Sequence, residues 1–283
     1  MRKVLLLLLF LTSRLYAQQT TSVAATVTVN NGLSQGMVFD ILQSRDGFIW
    51  IATKDGLNRY DGYHCKIFWP DPFDAFSISA SDIRRIYEDS RGRLWVCTPL
   101  GLDIYIPESG RFFHVSNDRL SGFTTKSDIE GFADFAEMPD GSIWVLTSGL
   151  IFKIGEPSAL LDAAGKAGNA YPALQITWIS PPVSSKSPDG VRFISVFHST
   201  KHALLVGTSG GLYTANPVTG QLTEKALTGT SVRIMGEDKA GQIWLQVPGK
   251  PVLPWEPAWR YFVYENWPWQ SCIWDGKEVS PLR

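Results

Sequence analysis

Asp46-Gly47-Phe48-Ile49-Trp50-Ile51-Ala52-Thr53, followed by Gly56-Leu57, is the phrase on which the rest of the chain is written. It returns as Arg91-Gly92-Arg93-Leu94-Trp95-Val96-Cys97-Thr98 with Gly101-Leu102. A third copy, Asp140-Gly141-Ser142-Ile143-Trp144-Val145-Leu146-Thr147 with Gly149-Leu150, is one residue shorter before the glycine. A fourth, Ala203 to Thr208 with Gly211-Leu212, puts Leu205 in the tryptophan slot, and a fifth, Gly241 to Leu245, carries Trp244 and then fades. The slots at 50, 95, 144, 205 and 244 are 45, 49, 61 and 39 residues apart. Such steps suit the blades of a propeller and are too long for leucine-rich or ankyrin repeats.

Inside a unit the period is that of strands. Val38 to Gln43 takes apolar and polar residues roughly in turn, and Phe48 to Thr53 is β-branched and aromatic after an Asp-Gly hairpin signal. Gly56-Leu57 marks a second turn, Asn58-Arg59-Tyr60 a third strand and His64 to Phe68 a fourth. The second unit repeats the plan over Asp82–Glu88, Leu94–Thr98, Leu102–Ile106 and Arg111–Val115. Four short antiparallel strands make one blade, so the expected fold is an all-β propeller with about five blades in view. A lone four-stranded sheet has two apolar faces and buries them only by stacking on others. The slots Trp50, Trp95, Trp144, Leu205 and Trp244 are therefore expected between blades. Thr53, Thr98, Thr147 and Thr208, with Gly56, Gly101, Gly149 and Gly211, complete the structural frame of the repeat.

This wording resembles the two-component regulator propeller repeat, the sensor module of bacterial hybrid two-component systems. The residues that carry the likeness are Gly32-Leu33-Ser34, Ile41-Leu42-Gln43, Asp46 to Thr53, Gly56-Leu57-Asn58-Arg59-Tyr60-Asp61-Gly62, and the echo ending in Gly101-Leu102-Asp103-Ile104-Tyr105. It covers residues 30 to 247, strongly in the first two blades and weakly in the last two. The resemblance implies a periplasmic sensor of oligosaccharides released from glycans, with a membrane span and a kinase farther along. It also implies a ring larger than five blades, so the chain reads as an incomplete ring and a truncated member. His64, His114, His198 and His202 all fall in blade-like sequence rather than in a phosphotransfer helix.

Residues 1 to 17 read as a signal peptide: Arg2-Lys3, an apolar stretch from Val4 to Leu11, and Leu15-Tyr16-Ala17 as a cleavage site. The apolar stretch is too short to span a bilayer, which predicts export to the periplasm and no transmembrane segment beyond that peptide. Removing Arg2, Lys3 and Arg14 leaves 23 basic against 27 acidic residues. A nucleic-acid partner is excluded by the absence of a basic excess. Expected partners are an oligosaccharide, a second copy of the chain, or downstream signalling domains. Three cysteines, Cys65, Cys97 and Cys272, do not make a closed disulfide framework. Cys97 reads as a buried free thiol, while a Cys65–Cys272 pair would require the first blade to meet the tail.

The remaining organisation is a lead-in over 18–29, blades over 30–250, and a Pro/Trp-rich tail over 251–283. An insertion near 155–190 opens with a short helix from Pro157 to Ala164, ended by Gly165. The tail holds Pro251, Pro254, Pro257 and Pro268 among many tryptophans, and three readings stand: a degenerate blade, an altered or truncated reading frame, or an aromatic carbohydrate platform.

Ligand-binding residues are expected where the loops joining second and third strands meet the loops linking successive blades. These are Lys54, Asp55 and Asn58 from the first unit, and Ser79, Ser81, Asp82, Arg84 and Arg85 entering the second. No catalytic set and no cofactor motif stands out. His198 and His202 have the spacing of a helical zinc pair but sit in a predicted hairpin, so no metal is expected. Asp89 and Asp140 read as Asx-type turn residues. The first functional reading is a non-catalytic sensor; the alternatives are an exported propeller enzyme acting on glycans and a protein-interaction scaffold.

Overall fold

The computed structural model describes residues 27–116, 132–147, 151–179, 191–201, 203–239, 241–248, 269–274 and 279–281. The first sheet is β1 (Val38–Gln43), β2 (Ile49–Thr53), β3 (Gly56–Tyr60) and β4 (Cys65–Phe68). The second is β5 (Arg85–Glu88), β6 (Leu94–Thr98), β7 (Gly101–Ile106) and β8 (Arg111–Ser116); the third is β9 (Phe132–Glu137), β10 (Ile143–Thr147), β11 (Ile151–Ile154) and β12 (Ile176–Ile179). The fourth contains β13 (Phe193–Ser199), β14 (Ala203–Thr208), β15 (Gly211–Ala215) and β16 (Leu222–Ala226). The fifth contains β17 (Arg233–Glu237), β18 (Ile243–Pro248), β19 (Trp269–Trp274) and β20 (Val279–Pro281). In every sheet the strands pair antiparallel in chain order, as a propeller blade requires. The fifth blade takes its two outer strands from the Pro/Trp-rich segment, beyond the boundary at residue 250 that the fading repeat suggests.

The repeated words have separate structural jobs. In the turn between first and second strands, Ser44, Asp89, Met138 and Asp238 each donate a main-chain N–H to the carbonyl four residues on. Gly47, Gly92, Gly141 and Gly241 take left-handed φ values of 91°, 77°, 76° and 79° there. The threonine that ends each second strand closes the next turn: the hydroxyls of Thr53, Thr98 and Thr208 donate to the carbonyls of Gly56, Gly101 and Gly211 at 2.9, 3.2 and 2.9 Å. The same oxygens accept the N–H groups of Asp55, Leu100 and Gly210. This explains why Thr and Gly recur in register with tryptophan.

Four of the five repeat slots are core, as their apolar neighbours demand: Trp50, Trp95, Trp144 and Leu205 are buried, whereas Trp244 is half-buried. Each of the four meets the following blade. Trp50 packs edge-on to Tyr105 at 5.3 Å, within a cluster that includes Phe68 and Phe112. Trp95 packs with Phe135, Phe152 and Ile154; Trp144 with Val196, Leu204 and Tyr213; Leu205 with Val232, Ile234 and Leu245. Burying one such side chain contributes about 1.5–3 kcal/mol, so blade stacking is the dominant stabilising term.

The helix α1 (Ser158–Lys166) starts after Pro157 and runs one residue past Gly165. Gly165 is therefore inside the helix rather than its end. A Cβ there would approach the Phe113 ring to 3.3 Å, so the glycine lets the helix lie against the second blade. Leu161 and Ala164 are the buried face of α1 in that contact.

The inner strands line a common hub. Contact passes from β1 to β5, β5 to β9, β9 to β13 and β13 to β17; among the described residues no comparable contact returns from β17 to β1, so the arc is open. No described helix is long and apolar enough to cross a membrane.

Candidate functional site

The loop from residue 69 to 84, which links the first blade to the second, builds most of one face. Its second half joins the β2–β3 turn: Gly56 N–H donates to the Ser81 carbonyl at 2.7 Å and Ile83 N–H to Thr53 at 2.9 Å. There Lys54 pairs with Asp82, and Arg84 donates from Nη2 to the same carboxylate at 2.7 Å while its Nε forms an ion pair with the other carboxylate oxygen at 2.7 Å. Arg84 also lies 4.4 Å from the Phe39 ring centroid. Lys54, Asp82 and Arg84 thus form one rim cluster. Asp55 is exposed beside it, its carbonyl accepting the Trp69 indole N–H at 3.3 Å.

Two expected site residues are built into the blades. Asn58 is buried; its side chain accepts the Ser34 N–H at 2.9 Å and donates to the Ser34 hydroxyl and the Ile51 carbonyl. Ser79 repeats the position of Ser34 one blade on. It donates its N–H to Asp103 at 2.7 Å and shares a 3.1 Å contact with the Thr98 hydroxyl. Arg85 is separate again: it faces the hub and bridges Asp134 at 3.0 Å and Asp40 at 3.4 Å. Burial pushes the carboxyls of Asp40 and Asp134 above their ordinary values, and the Arg85 charge offsets this only in part.

The first half of the same loop opens a groove of ≈ 630 Å³ against the β6–β7 turn and the segment after α1. Its wall includes Asp71, Asp74, Ser79, Leu100, His114 and Tyr171. The His114 imidazole lies 2.7 Å from Asp103 through Nδ1 and 3.0 Å from the Ala75 carbonyl through Nε2. A carbonyl only accepts, so Nε2 carries a proton; the carboxylate on the other side favours a second proton on Nδ1. Burial alone would lower the His114 pKa, but the hydrogen bond and charge of Asp103 outweigh it and raise the value. Tyr171 packs on this ring at 5.2 Å and stays half exposed, with Phe73 and Leu100 exposed nearby in the chain segments that form the groove. Sequence reasoning reached Ser79 here but missed Asp71, Asp74, Tyr171 and the His114–Asp103 pair.

Asp89 and Asp140 do accept Asx-type main-chain bonds, from Arg91 at 3.0 Å and Ser142 at 2.9 Å. Cys65 and Cys97 are free thiols, Cys97 buried; the side chain of Cys272 lies outside the described residues. His198 stands in β13 opposite Leu204, and His202 lies outside the described residues. Among the described residues no group of three or more His, Cys, Asp or Glu side chains is arranged to hold a metal ion.

The two component regulator propeller family matches residues 32–55 and 77–99, which are the strand and turn segments of the first two blades. The first two blades carry two-component regulator propeller repeats. A stretch of 70 residues is 44% identical to the histidine kinase P4 of Formosa agariphila, covering 25% of this chain and 5% of that protein. In three dimensions the chain is similar to an extracellular domain assigned to a hybrid two component system of B. thetaiotaomicron. The TM-score is 0.59 at 18% identity, over 91% of this chain and 32% of that one. A streptogramin B lyase structure shares the fold at a TM-score of 0.52 and 14% identity, over 76% of this chain and 66% of the lyase. The match thus spans about a third of that extracellular domain and a twentieth of the kinase. Likeness at these identities establishes the propeller fold, which sensors and lyases share.

Proposed function

We propose that the chain is the exported, ligand-sensing propeller of a two-component signalling protein, and that it recognises a carbohydrate-derived ligand without transforming it. The observation that carries this reading is the groove on the loop face. It combines a half-exposed aromatic ring, Tyr171, with exposed carboxylates, Asp71 and Asp74. A sugar ring stacks its C–H face on such an aromatic while its hydroxyls donate to carboxylates. The histidine kinase identity of the matched relative and the repeat family both support a signalling role, and residues 1–17 support export. Lys54, Asp55, Ser81, Asp82 and Arg84 form the rim of the same face, continuous with the groove through the 69–84 loop. They are placed to contact an oligosaccharide longer than the groove itself.

The test is calorimetric titration of the purified chain with a panel of neutral and acidic oligosaccharides, alongside an assay for new reducing ends. The reading predicts saturable binding that weakens at least tenfold in Tyr171→Ala, with no turnover. Turnover of a bound glycan would replace it with the enzyme alternative. Binding unaffected by Tyr171→Ala would remove the groove from the account.

A further inference from the structure

The inner strands place one residue each at the same register position. Asp40 stands opposite Ala52, Arg85 opposite Cys97, Asp134 opposite Leu146, Ser195 opposite Gly207 and Arg233 opposite Gln246. Three of these five tie neighbouring blades by accepting a main-chain N–H from the next inner strand. Asp40 accepts from Ile86 at 3.0 Å, Asp134 from Val196 at 3.2 Å and Ser195 from Ile234 at 2.7 Å. At Gly207 a Cβ would come within 2.5 Å of both the Ser195 hydroxyl and the Val232 carbonyl, so the fourth blade needs glycine to make this approach. Arg85, the fourth member, spans the two carboxylates.

Arg233 is the fifth, and its charge is not consumed this way. Among the described residues no hydrogen bond or ion pair engages its side chain. It holds on β17 the register place that Arg85 holds on β5, which puts it on the hub side of the inner strand, and it is half-buried there. Burial pulls it below its ordinary pKa; the Asp134 charge offsets this in part, while Arg85 adds to it. Two arginines therefore share the hub with two carboxylates that Arg85 already holds. The planar fork of a guanidinium suits the paired oxygens of a carboxylate or an oxyanion.

We infer that the hub is an anion-binding site in which Arg233 receives a carboxylate- or sulfate-bearing ligand, with Arg85 fixed behind it by Asp40 and Asp134. The site lies on the inner strands, whereas the groove is walled by loops and outer-strand residues of the second blade, and it stands whether or not the groove takes sugar. Its ligand chemistry is that of a uronic or sulfated sugar, or of a free oxyanion.

The test titrates the full chain with sodium sulfate and with methyl glucuronide, each at constant ionic strength, following heat and melting temperature. Saturable binding is expected in the wild type. Arg233→Gln should weaken it at least tenfold, and Arg233→Lys should weaken it less than Arg233→Gln. Without ligand, Arg233→Gln should melt at or above the wild-type temperature, because a partly buried charge that makes no ion pair is removed and no side-chain bond is lost. Binding of sulfate alone assigns the site to a free oxyanion, and binding of the glucuronide as well assigns it to an acidic sugar. Unchanged affinity in Arg233→Gln, or a variant that melts clearly below wild type, overturns the inference.

Discussion

The carboxylate of Glu137, near the end of β9 in the third blade, accepts the main-chain N–H of Ser90 in the hairpin turn of the second blade at 2.6 Å. The same clamp joins Glu88 to Arg45 at 3.0 Å and Glu237 to Thr200 at 3.0 Å. Register explains the gap in the series. The third blade has Pro139 at the turn position, with no N–H to give, and the fourth blade correspondingly has His198 where the second, third and fifth have glutamate. Glu137→Ala should lower stability by about 1–2 kcal/mol, the range for a charge-assisted bond that is partly solvated. Urea unfolding checks this, and His198→Ala serves as a control that should cost less than half as much.

The tryptophan slots differ in one atom's fate. Trp95 donates its indole N–H to Asp89 at 2.8 Å, whereas the Trp144 indole nitrogen finds no hydrogen-bond partner among the described residues and Met138 occupies the aspartate position. Both rings are buried, so replacing either with phenylalanine leaves a similar void. Trp95→Phe additionally forfeits a bond to a buried carboxylate. It should cost about 1–2 kcal/mol more than Trp144→Phe in equilibrium unfolding.

Arg85 holds two carboxylates that burial disfavours as ions. Arg85→Ala should therefore destabilise the chain by about 2–3 kcal/mol, less than a fully buried pair would cost because the guanidinium is partly solvated. Arg85→Ala combined with Asp134→Asn should recover part of the loss. The comparison is made by urea titration, and an additive loss in the double variant would argue against the bridge.

His114 gives a pH dependence of definite sign. Its folded-state pKa is raised, so its contribution to stability is fully present below about pH 6.5 and disappears as pH rises through the folded value. The stability difference between wild type and His114→Gln should accordingly shrink from pH 6 to pH 8. Unfolding midpoints across that range read it directly, and a difference that grows with pH would contradict the imidazolium assignment.

How far the sequence speaks follows from distance along the chain. The phrase around Trp50, Trp95 and Trp144 reveals blades because strand alternation, Asp-Gly turns and Gly-Leu turns act within a dozen residues. The threonine after each tryptophan is legible for the same reason. The groove is less so: Asp71 and Tyr171 are a hundred residues apart, and nothing in either neighbourhood announces the other. Asn58 is an instructive case, since its place beside a turn suggests exposure, yet the buried hydrogen bonds to Ser34 occupy it. The hub was half visible. Arg85 stood out as charged on an inner strand, but its relation to Asp40, Asp134 and Arg233 depends on five strands sharing one register. Repeated glutamates at 88, 137 and 237 were a signal that could have located the clamps.

The account rests on blades leaning on one another around a shared hub, and amide hydrogen exchange tests this most directly. The N–H groups of Ile86, Val196 and Ile234, bonded to Asp40, Asp134 and Ser195 of the preceding blades, should be as protected as the central-strand amides of Val96 and Val145. Asp40→Ala should release Ile86 and leave Ile234 protected. Exchange of all three at the rate of open loops in the wild type would contradict the hub, and with it the propeller on which the proposed sites are built.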